Sequence, residues 1–200
     1  MIDDCNRRVS ADVILAGRAP VRTDRLELRP CDGSYLEELV GLWADTRVAA
    51  LTTLRVPQPR AQVLEMIESS RNWWAKDGLG PFDAIERQTG VWVGRVGLWR
   101  LSSWVGPERY EVGFEIAPAF WRRGFASEAG RAAVRFGFAH GLSRIISVTV
   151  RENAGSRATM ERCGLALAGS GIWNGCDVVW YAIDHPDAKS LPEEEHARSD

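Results

Sequence analysis

Apolar and charged residues alternate through Arg25–Pro30 (RLELRP), the period of a strand with one face buried. The period then changes. Tyr35, Leu36, Leu39, Val40, Leu42 and Trp43 recur at helical spacing, and a Pro-bounded loop, RVPQPR (55–60), leads to a second helix over 61–74 that repeats Val63, Met66, Ile67 and Ser70. Phe82–Arg87 predicts a strand, Thr89-Gly90 a turn, and Val91–Arg100 (VWVGRVGLWR) the strand that returns from it. After a loop containing Gly106-Pro107 come a strand at Tyr110–Ile116, a helix at Phe125–His140 and a strand at Ile145–Val150. A short helix at Ala154–Arg162, stopped by Gly164, precedes strands at Leu165–Ala168 and Val178–Ile183. One strand, two helices, a three-stranded meander and then α-β-α-β-β predict an α/β (α+β) fold with a mixed central sheet flanked by helices.

No linker, repeat or low-complexity break interrupts this order, so residues 21–183 are expected to form one domain. Residues 1–20 are polar and aperiodic and predict a flexible arm; residues 184–200 (DHPDAKSLPEEEHARSD) are rich in Pro and acid and predict a disordered tail. The apolar run Val13–Ala16 is too short for a secretory leader or a membrane span, and Asp3 and Asp4 stand where a leader carries positive charge, so a cytoplasmic protein is expected.

Composition then narrows the chemistry. At 200 residues and a net charge of −2, the chain has no global attraction for nucleic acid or anionic membrane, and neither is expected as a partner. Of 25 basic residues only Lys76 and Lys189 are lysines, and two of the three histidines, His185 and His196, lie in the polar tail. A histidine base, a Schiff-base lysine or a phosphate-binding lysine therefore has almost no candidate. Cys5, Cys31, Cys163 and Cys176 are scattered without a C-x-x-C pair, which predicts neither a metal site nor a disulfide framework.

The most informative stretch is Tyr110–His140. An extended segment ends at Pro118, and a turn through Arg122, Arg123, Gly124, Phe125 and Ala126 opens into a long helix. Gly124 and Ala126 let a ligand approach the backbone, and the first-turn N–H groups favour an anion. Four Arg against one Glu between Trp121 and Arg135 make a local charge of +3 in a chain of net −2. A phosphate or pyrophosphate cradle and a basic helix cap both satisfy this pattern. Neither G-x-G-x-x-G nor Gly-Lys-Ser/Thr occurs, so the cradle is not a dinucleotide fingerprint or a P-loop. Amides and Arg without Lys suit a ligand that is held rather than phosphorylated, such as coenzyme A.

EVGFEIAPAFWRRGFASEA (111–129) resembles the acyl-coenzyme A motif of the GNAT N-acetyltransferase superfamily, and is most similar to its RimJ/RimL-like branch. The superfamily pattern Q/R-x-x-G-x-G/A reads Trp121-Arg122-Arg123-Gly124-Phe125-Ala126, and the Trp in first position accords with that branch. TDRLELRP (23–30), TGVWVGRVGL (89–98) and VRENAGSRATMERCGL (150–165) resemble the branch's opening strand, central hairpin and second coenzyme-A segment. The resemblance implies a sheet splayed after its fourth strand (Tyr110–Ile116), with the pantetheine arm against the backbone of Phe114, Glu115 and Ile116. It also implies pyrophosphate on the amides of Arg122, Arg123, Gly124, Phe125, Ala126 and Ser127. Asn153 would bond the pantetheine arm and Ser156 would lie near the thioester sulfur; spacing alone favours Asn153 as a helix N-cap and Ser156 as a first-turn residue. A homodimer is the assembly such proteins imply.

The implied reaction is direct attack of an amine on acetyl-coenzyme A, without a metal. The acceptor would be a protein N-terminal α-amine or a small-molecule amine; a non-catalytic acyl-coenzyme A-binding module is the alternative. With no plausible His, the base must be a carboxylate. Glu111 and Glu115 are four apart on one strand face, and Glu111 fills the Glu of the branch's E-[IV]-G-[FY] segment; both can equally be solvated or paired with Arg95 or Arg109. An N–H near Ile116 would polarise the thioester carbonyl, and Ser156 or water would protonate the leaving thiolate. Trp73, Trp74, Trp99 and Trp104 lie on segments that could wall an acceptor groove, while Trp92 and Trp99 at strand positions read as packing residues.

Overall fold

The computed structural model describes residues 20–104 and 106–187; the expected N-terminal arm and most of the expected tail lie outside them. Among the described residues, eight strands form one sheet in the order β1-β2-β3-β4-β5-β6-β8-β7. They are β1 (Val21–Arg22), β2 (Leu26–Pro30), β3 (Pro81–Glu86), β4 (Trp92–Arg100), β5 (Tyr110–Ile116), β6 (Arg144–Val150), β7 (Ala166–Trp173) and β8 (Cys176–Asp184). The helices are α1 (Leu36–Ala44), α2 (Thr46–Ala49), α3 (Arg60–Asp77), α4 (Phe125–Ala139) and α5 (Ala154–Arg162), with a 3-10 turn at Pro118–Phe120. The mixed sheet flanked by helices is the architecture that the element order predicts. Three features exceed the expectation, the first being the two-residue edge strand β1, which pairs with β2. A short α2 follows α1 directly, its N-terminus capped by the side chain of Asp45. β7 runs to Trp173 rather than stopping near Ala168, because the glycine-containing sequence ALAGSGIW lacks the apolar alternation that marks a strand and is held by its ladder to β8.

Alternation on the central strands decides which chemistry faces which helices. Leu26, Leu28, Phe82, Ala84, Val96 and Ile116 face α4 and pack with Phe125, Ala129 and Ala132, joined by Trp74 of α3. This apolar contact is close: a methyl group on Gly130 of α4 would lie 2.7 Å from Cys163 Sγ and still nearer the Phe114 ring. The opposite face of β3–β5 carries Asp83, Arg95, Trp99, Glu111 and Glu115, through the cross-strand pairs Asp83–Arg95, Arg95–Glu115 and Trp99–Glu111. Helices α1 to α3 cover that face, with Leu39, Leu42, Trp43, Val63 and Ile67 packing against Cys31 and Trp92. Polar side chains under a helical layer are unusual for a sheet interior.

The sheet comes apart at β5. Strands β1 to β5 form an antiparallel run, whereas β5 meets β6 in parallel with a single register pair, Glu111–Ile146. Just beyond it, Ser147 Oγ donates to the Val112 carbonyl at 2.6 Å, a side chain in place of a ladder bond. The free edge of β5 therefore begins at Phe114.

Candidate active site

At the point of separation, the N–H of Val148 has lost its strand partner and donates instead to Glu111 Oε2 at 3.1 Å. Burial pushes the Glu111 carboxyl up to about 7; the Val148 N–H works against that rise and the nearby Glu115 carboxylate adds to it. No cation pairs with Glu111 among the described residues. The result is a carboxyl near neutrality, at the apex of the gap between β5 and β6.

Glu115 has a different setting. Arg95 Nε and Nη2 both reach its Oε2, at 2.9 and 2.8 Å, and Arg95 is only 1% exposed. Burial opposes the charge on Arg95, but the Glu115 carboxylate outweighs it and raises the guanidinium pKa. Glu111 and Glu115 thus share a face but not a role, and four residues of strand separate them by about 13 Å. Of the two expected bases, the ion-paired reading holds for Glu115 and not for Glu111. Under the same layer, burial raises Asp83 to about 6 even though Trp92 Nε1 donates to it at 2.8 Å, and raises the Cys31 thiol to about 12.

Even-numbered residues of β5 direct their backbone groups toward the gap, as the Ser147 bond to Val112 and the Trp121 Nε1 bond to the Ile116 carbonyl (2.6 Å) demonstrate. Phe114 accordingly presents both N–H and C=O there, and Ile116 its N–H. Glu115 directs its backbone toward β4 instead, so it is the member of the expected trio that offers no backbone group to the gap.

The gap leads to the start of α4. Arg122 (φ +62°) and Gly124 (φ +82°) lie in the left-handed region, which bends the chain sharply into the helix. The first intrahelical bond runs from the Glu128 N–H to the Gly124 carbonyl, so the amides of Gly124, Phe125, Ala126 and Ser127 precede the ladder. The side chains of Phe125 and Ser127 are buried, which limits both residues to their amides. The two arginines separate in role. Arg123 donates to Glu86 at 2.8 Å and lies over the Phe120 and Phe125 rings, whereas Arg122 is exposed and has no ion-pair partner among the described residues. Arg25 and Glu128 brace the loop from outside: Arg25 donates to the Arg123 carbonyl at 2.9 Å and to Glu128 at 2.7 Å. The free amides and the uncommitted Arg122 fit a pyrophosphate, and the open β5 edge fits an amide-bearing arm.

Asn153 acts as the N-cap of α5. Its side-chain oxygen accepts from the Ser156 N–H at 3.0 Å and its amide donates to the Leu51 carbonyl at 3.1 Å. This is the capping alternative, and it ties α5 to the loop after α2. The Ser156 hydroxyl has no hydrogen-bond partner among the described residues.

Over the polar face of the sheet lies a cleft of about 280 Å³. α1 contributes Trp43; α3 contributes Gln62, Glu65, Met66, Ser69 and Trp73; β4 and β5 contribute Arg95, Trp99 and Glu115. The α3 residues form a stripe one position before the core stripe of Val63, Ile67, Ser70 and Trp74. Periodicity marks Met66 along with the core positions Val63, Ile67 and Ser70, but not Gln62, Glu65 or Ser69. Trp73 and Trp99 wall this cleft as the sequence suggests. Trp99 is thereby not merely a packing residue: its ring lies across Gly113, where a methyl group would meet Trp99 Cε3 at 2.8 Å. Trp74 and Trp104 do not line it. Trp74 is buried with its indole bonded to the Pro81 carbonyl, and Trp104 packs edge-on against Trp173 and Trp180. Trp43, which the sequence suggested only as a helix core position, both lines the cleft and has a buried Nε1 without an acceptor.

A family model described as an acetyltransferase (GNAT) domain matches residues 25–166. The uncharacterized N-acetyltransferase YoaA of Bacillus subtilis (strain 168) is 29% identical over 150 residues, covering 74% of this chain and 84% of that protein. The FsC-acetyl coenzyme A-N(2)-transacetylase of Aspergillus fumigatus is 30% identical over 159 residues, covering 72% of this chain; the chain spans only 64% of that relative's length. Among solved structures, the acetyltransferase from Agrobacterium tumefaciens str. C58 superposes with a TM-score of 0.73 at 22% identity, over 84% of this chain and 96% of that one, a likeness of fold.

Proposed function

The chain belongs to the GNAT acetyltransferase family and is an acetyl-coenzyme A-dependent acetyltransferase; on that premise we propose that its acceptor is a primary amine and that Glu111 is the general base. The observation that carries the assignment is a carboxyl raised to about 7, unpaired with any cation among the described residues, at the apex of the gap between β5 and β6. A base poised near the working pH serves proton transfer better than one held ionised by a guanidinium. When bound, acetyl-coenzyme A supplies a thioester whose C–S bond breaks as the acceptor nitrogen bonds the acetyl carbon.

Each residue then has a stated task. Arg122 and the amides of Gly124 to Ser127 hold pyrophosphate, and the Phe114 backbone holds the pantetheine arm. The Ile116 N–H polarises the thioester carbonyl. Glu111 takes the proton that the amine nitrogen sheds, and the free hydroxyl of Ser156, or water, returns one to the departing thiolate. Asn153 shapes this end of the site by capping α5. The acceptor is a protein N-terminal α-amine or a small-molecule amine, which the four-motif resemblance to the RimJ/RimL-like branch supports. An α-amine, with a pKa of roughly 7.7–8.0, is partly neutral at pH 7 where a lysine is not. The catalytic unit extends over residues 21–183, a reading supported by strands that run from Val21 to Asp184. A reducing, cytoplasmic setting is supported by the free thiols of Cys31, Cys163 and Cys176.

Released thiol, followed over a panel of peptides and amines, tests the reaction. Glu111→Gln should lower kcat by about a hundredfold or more while leaving acetyl-coenzyme A affinity unchanged. Undiminished turnover in that variant would remove Glu111 from the mechanism.

A further inference from the structure

The gap between β5 and β6 opens beside Trp99. The Val112 carbonyl still accepts from Ser147 and the free edge starts at Phe114, so Gly113 marks the mouth of the gap. Trp99 stands on β4 opposite Glu111, and its six-membered ring lies across Gly113, where a methyl group would meet Trp99 Cε3 at 2.8 Å. The same indole walls the cleft of about 280 Å³ together with Trp73 and Met66 of α3, and all three are half-buried, with surface left open to a ligand. One side chain thus joins the gap, where a thioester is held, to an apolar cleft beside it.

The cleft lies on the carbonyl side of the reaction, away from the base. Glu115, one of its walls, directly precedes Ile116, whose N–H polarises the thioester carbonyl, whereas Glu111 stands about 13 Å further back along the strand. An amine at Glu111 and an acyl substituent in the cleft therefore leave the carbonyl carbon in different directions. The lining also selects the class of acyl group. Its only cation, Arg95, is committed to Glu115 through Nε and Nη2, and its remaining nitrogen faces Cys31 Sγ at 3.9 Å. Glu65 and Glu115 are the acidic members, so a terminal carboxylate on an acyl chain would meet like charge and no free cation. Tryptophan and methionine surface suits a hydrocarbon chain, and the volume, at the small end of ligand sites, takes about four to six carbons.

We infer that the transferred group extends beyond acetyl: the cleft binds the hydrocarbon tail of a straight-chain acyl-coenzyme A, with Trp99 leading it past Gly113 and Trp73 and Met66 covering its end. This rests on the amine-acetylating reading above and adds a second class of donor to acetyl-coenzyme A. The chemistry balances as before. The amine nitrogen bonds the acyl carbon as the C–S bond breaks, Glu111 takes the proton that the nitrogen sheds, and coenzyme A leaves as a thiol once Ser156 or water protonates its sulfur. Each methylene that moves from water onto these walls is worth about fourfold in affinity, so the cleft reads chain length.

Calorimetry on the full chain, with no amine present, reads donor affinity apart from turnover. The probes are acetyl-, butyryl-, hexanoyl-, dodecanoyl- and succinyl-coenzyme A. Hexanoyl-coenzyme A should bind about tenfold or more tighter than acetyl-coenzyme A, with butyryl between them. Dodecanoyl should bind no tighter than hexanoyl, and succinyl no tighter than acetyl. Trp73→Ala should bring the hexanoyl-to-acetyl affinity ratio below about threefold. Ser69→Leu, which fills the cleft from a half-buried position on α3, should do the same without removing a large side chain. With an amine that accepts acetyl, the product mass should show the hexanoyl adduct. Equal binding of acetyl and hexanoyl donors, tighter binding of succinyl, or a hexanoyl preference that both variants retain overturns the inference and leaves acetyl transfer to amines intact. Tight binding of hexanoyl-coenzyme A with transfer of acetyl alone also overturns it. A hexanoyl preference that both variants lose, with no amine acylated by either donor, supports the cleft as the acyl site and refutes the amine-acetylating reading instead.

Discussion

Replacing Glu111 by Gln should make the protein less active and, at alkaline pH, more stable. Glu111 ionises near its ordinary 4.5 in the unfolded chain but near about 7 when folded, because burial disfavours its charge. Between those pH values the folded state holds a proton that the unfolded state has released, so stability falls as pH rises. The stabilising contribution of the neutral form is fully present below pH 4.5 and lost as pH passes through about 7. A rise from 4.5 to about 7 is worth about 3 kcal/mol, an upper figure for a side chain that retains some contact with solvent. Gln keeps an oxygen for the Val148 N–H and cannot ionise. Urea unfolding from pH 5 to 8.5 should therefore give nearly equal stabilities for wild type and Glu111→Gln at pH 5. At pH 8 the variant should be more stable by about 2–3 kcal/mol. Asp83, raised to about 6, lowers stability in the same direction but over an earlier window, from 3.8 to about 6, and is common to both proteins, so it cancels in the difference. In wild type, kcat/KM should rise with pH through about 7, a limb absent from the variant. Parallel stability curves for the two proteins, or a carboxyl resonance of Glu111 titrating near 4.5, would refute the argument.

Two further outcomes follow from the loop and from the sheet. Arg122→Ala should weaken acetyl-coenzyme A binding by about tenfold, more at low ionic strength, with Tm unchanged, whereas Arg123→Ala should chiefly lower stability, by about 1 kcal/mol, through loss of Glu86 and of two aromatic faces. Calorimetry at two salt concentrations with parallel melting curves separates them, and the reverse order would mean that Arg123 leaves Glu86 for the phosphate. Gly130→Ala should lower stability by about 1–3 kcal/mol in urea despite better helix propensity, since the added methyl meets Phe114 and Cys163. A neutral or stabilising result would mean that α4 can lift from β5 without loss.

Much of the framework is visible in the chain because it depends on residues near one another in sequence. The alternation of RLELRP marks β2, the spacing of Val63, Met66, Ile67 and Ser70 marks α3, and Gly124 marks the entry to α4. The limits of local reading are equally specific. β7 carries no periodic signal, and only its pairing with β8 makes it a strand. Gln62, Glu65 and Ser69 resemble any half-exposed helix side until β4 and β5 lie beneath them. Trp74 and Trp73 are neighbours in sequence, yet one is buried against Phe82 and Phe136 and the other walls a cleft, because 100° of helix rotation separates them.

By itself, the sequence determined the order of elements apart from the short β1 and α2, the turn that opens α4 with unpaired amides, and the absence of lysine and histidine from the plausible chemistry. Each is a property of composition or of a few consecutive residues. It also put Glu111 and Glu115 on one face, since a strand repeats every two residues. Which of them is free was decided only by the tertiary structure. Arg95 lies opposite Glu115 across the β4–β5 ladder, and the parting of β5 from β6 leaves Glu111 with an amide rather than a cation. Charge pairing and desolvation depend on what other segments bring within a few ångströms, and no local pattern encodes that distance.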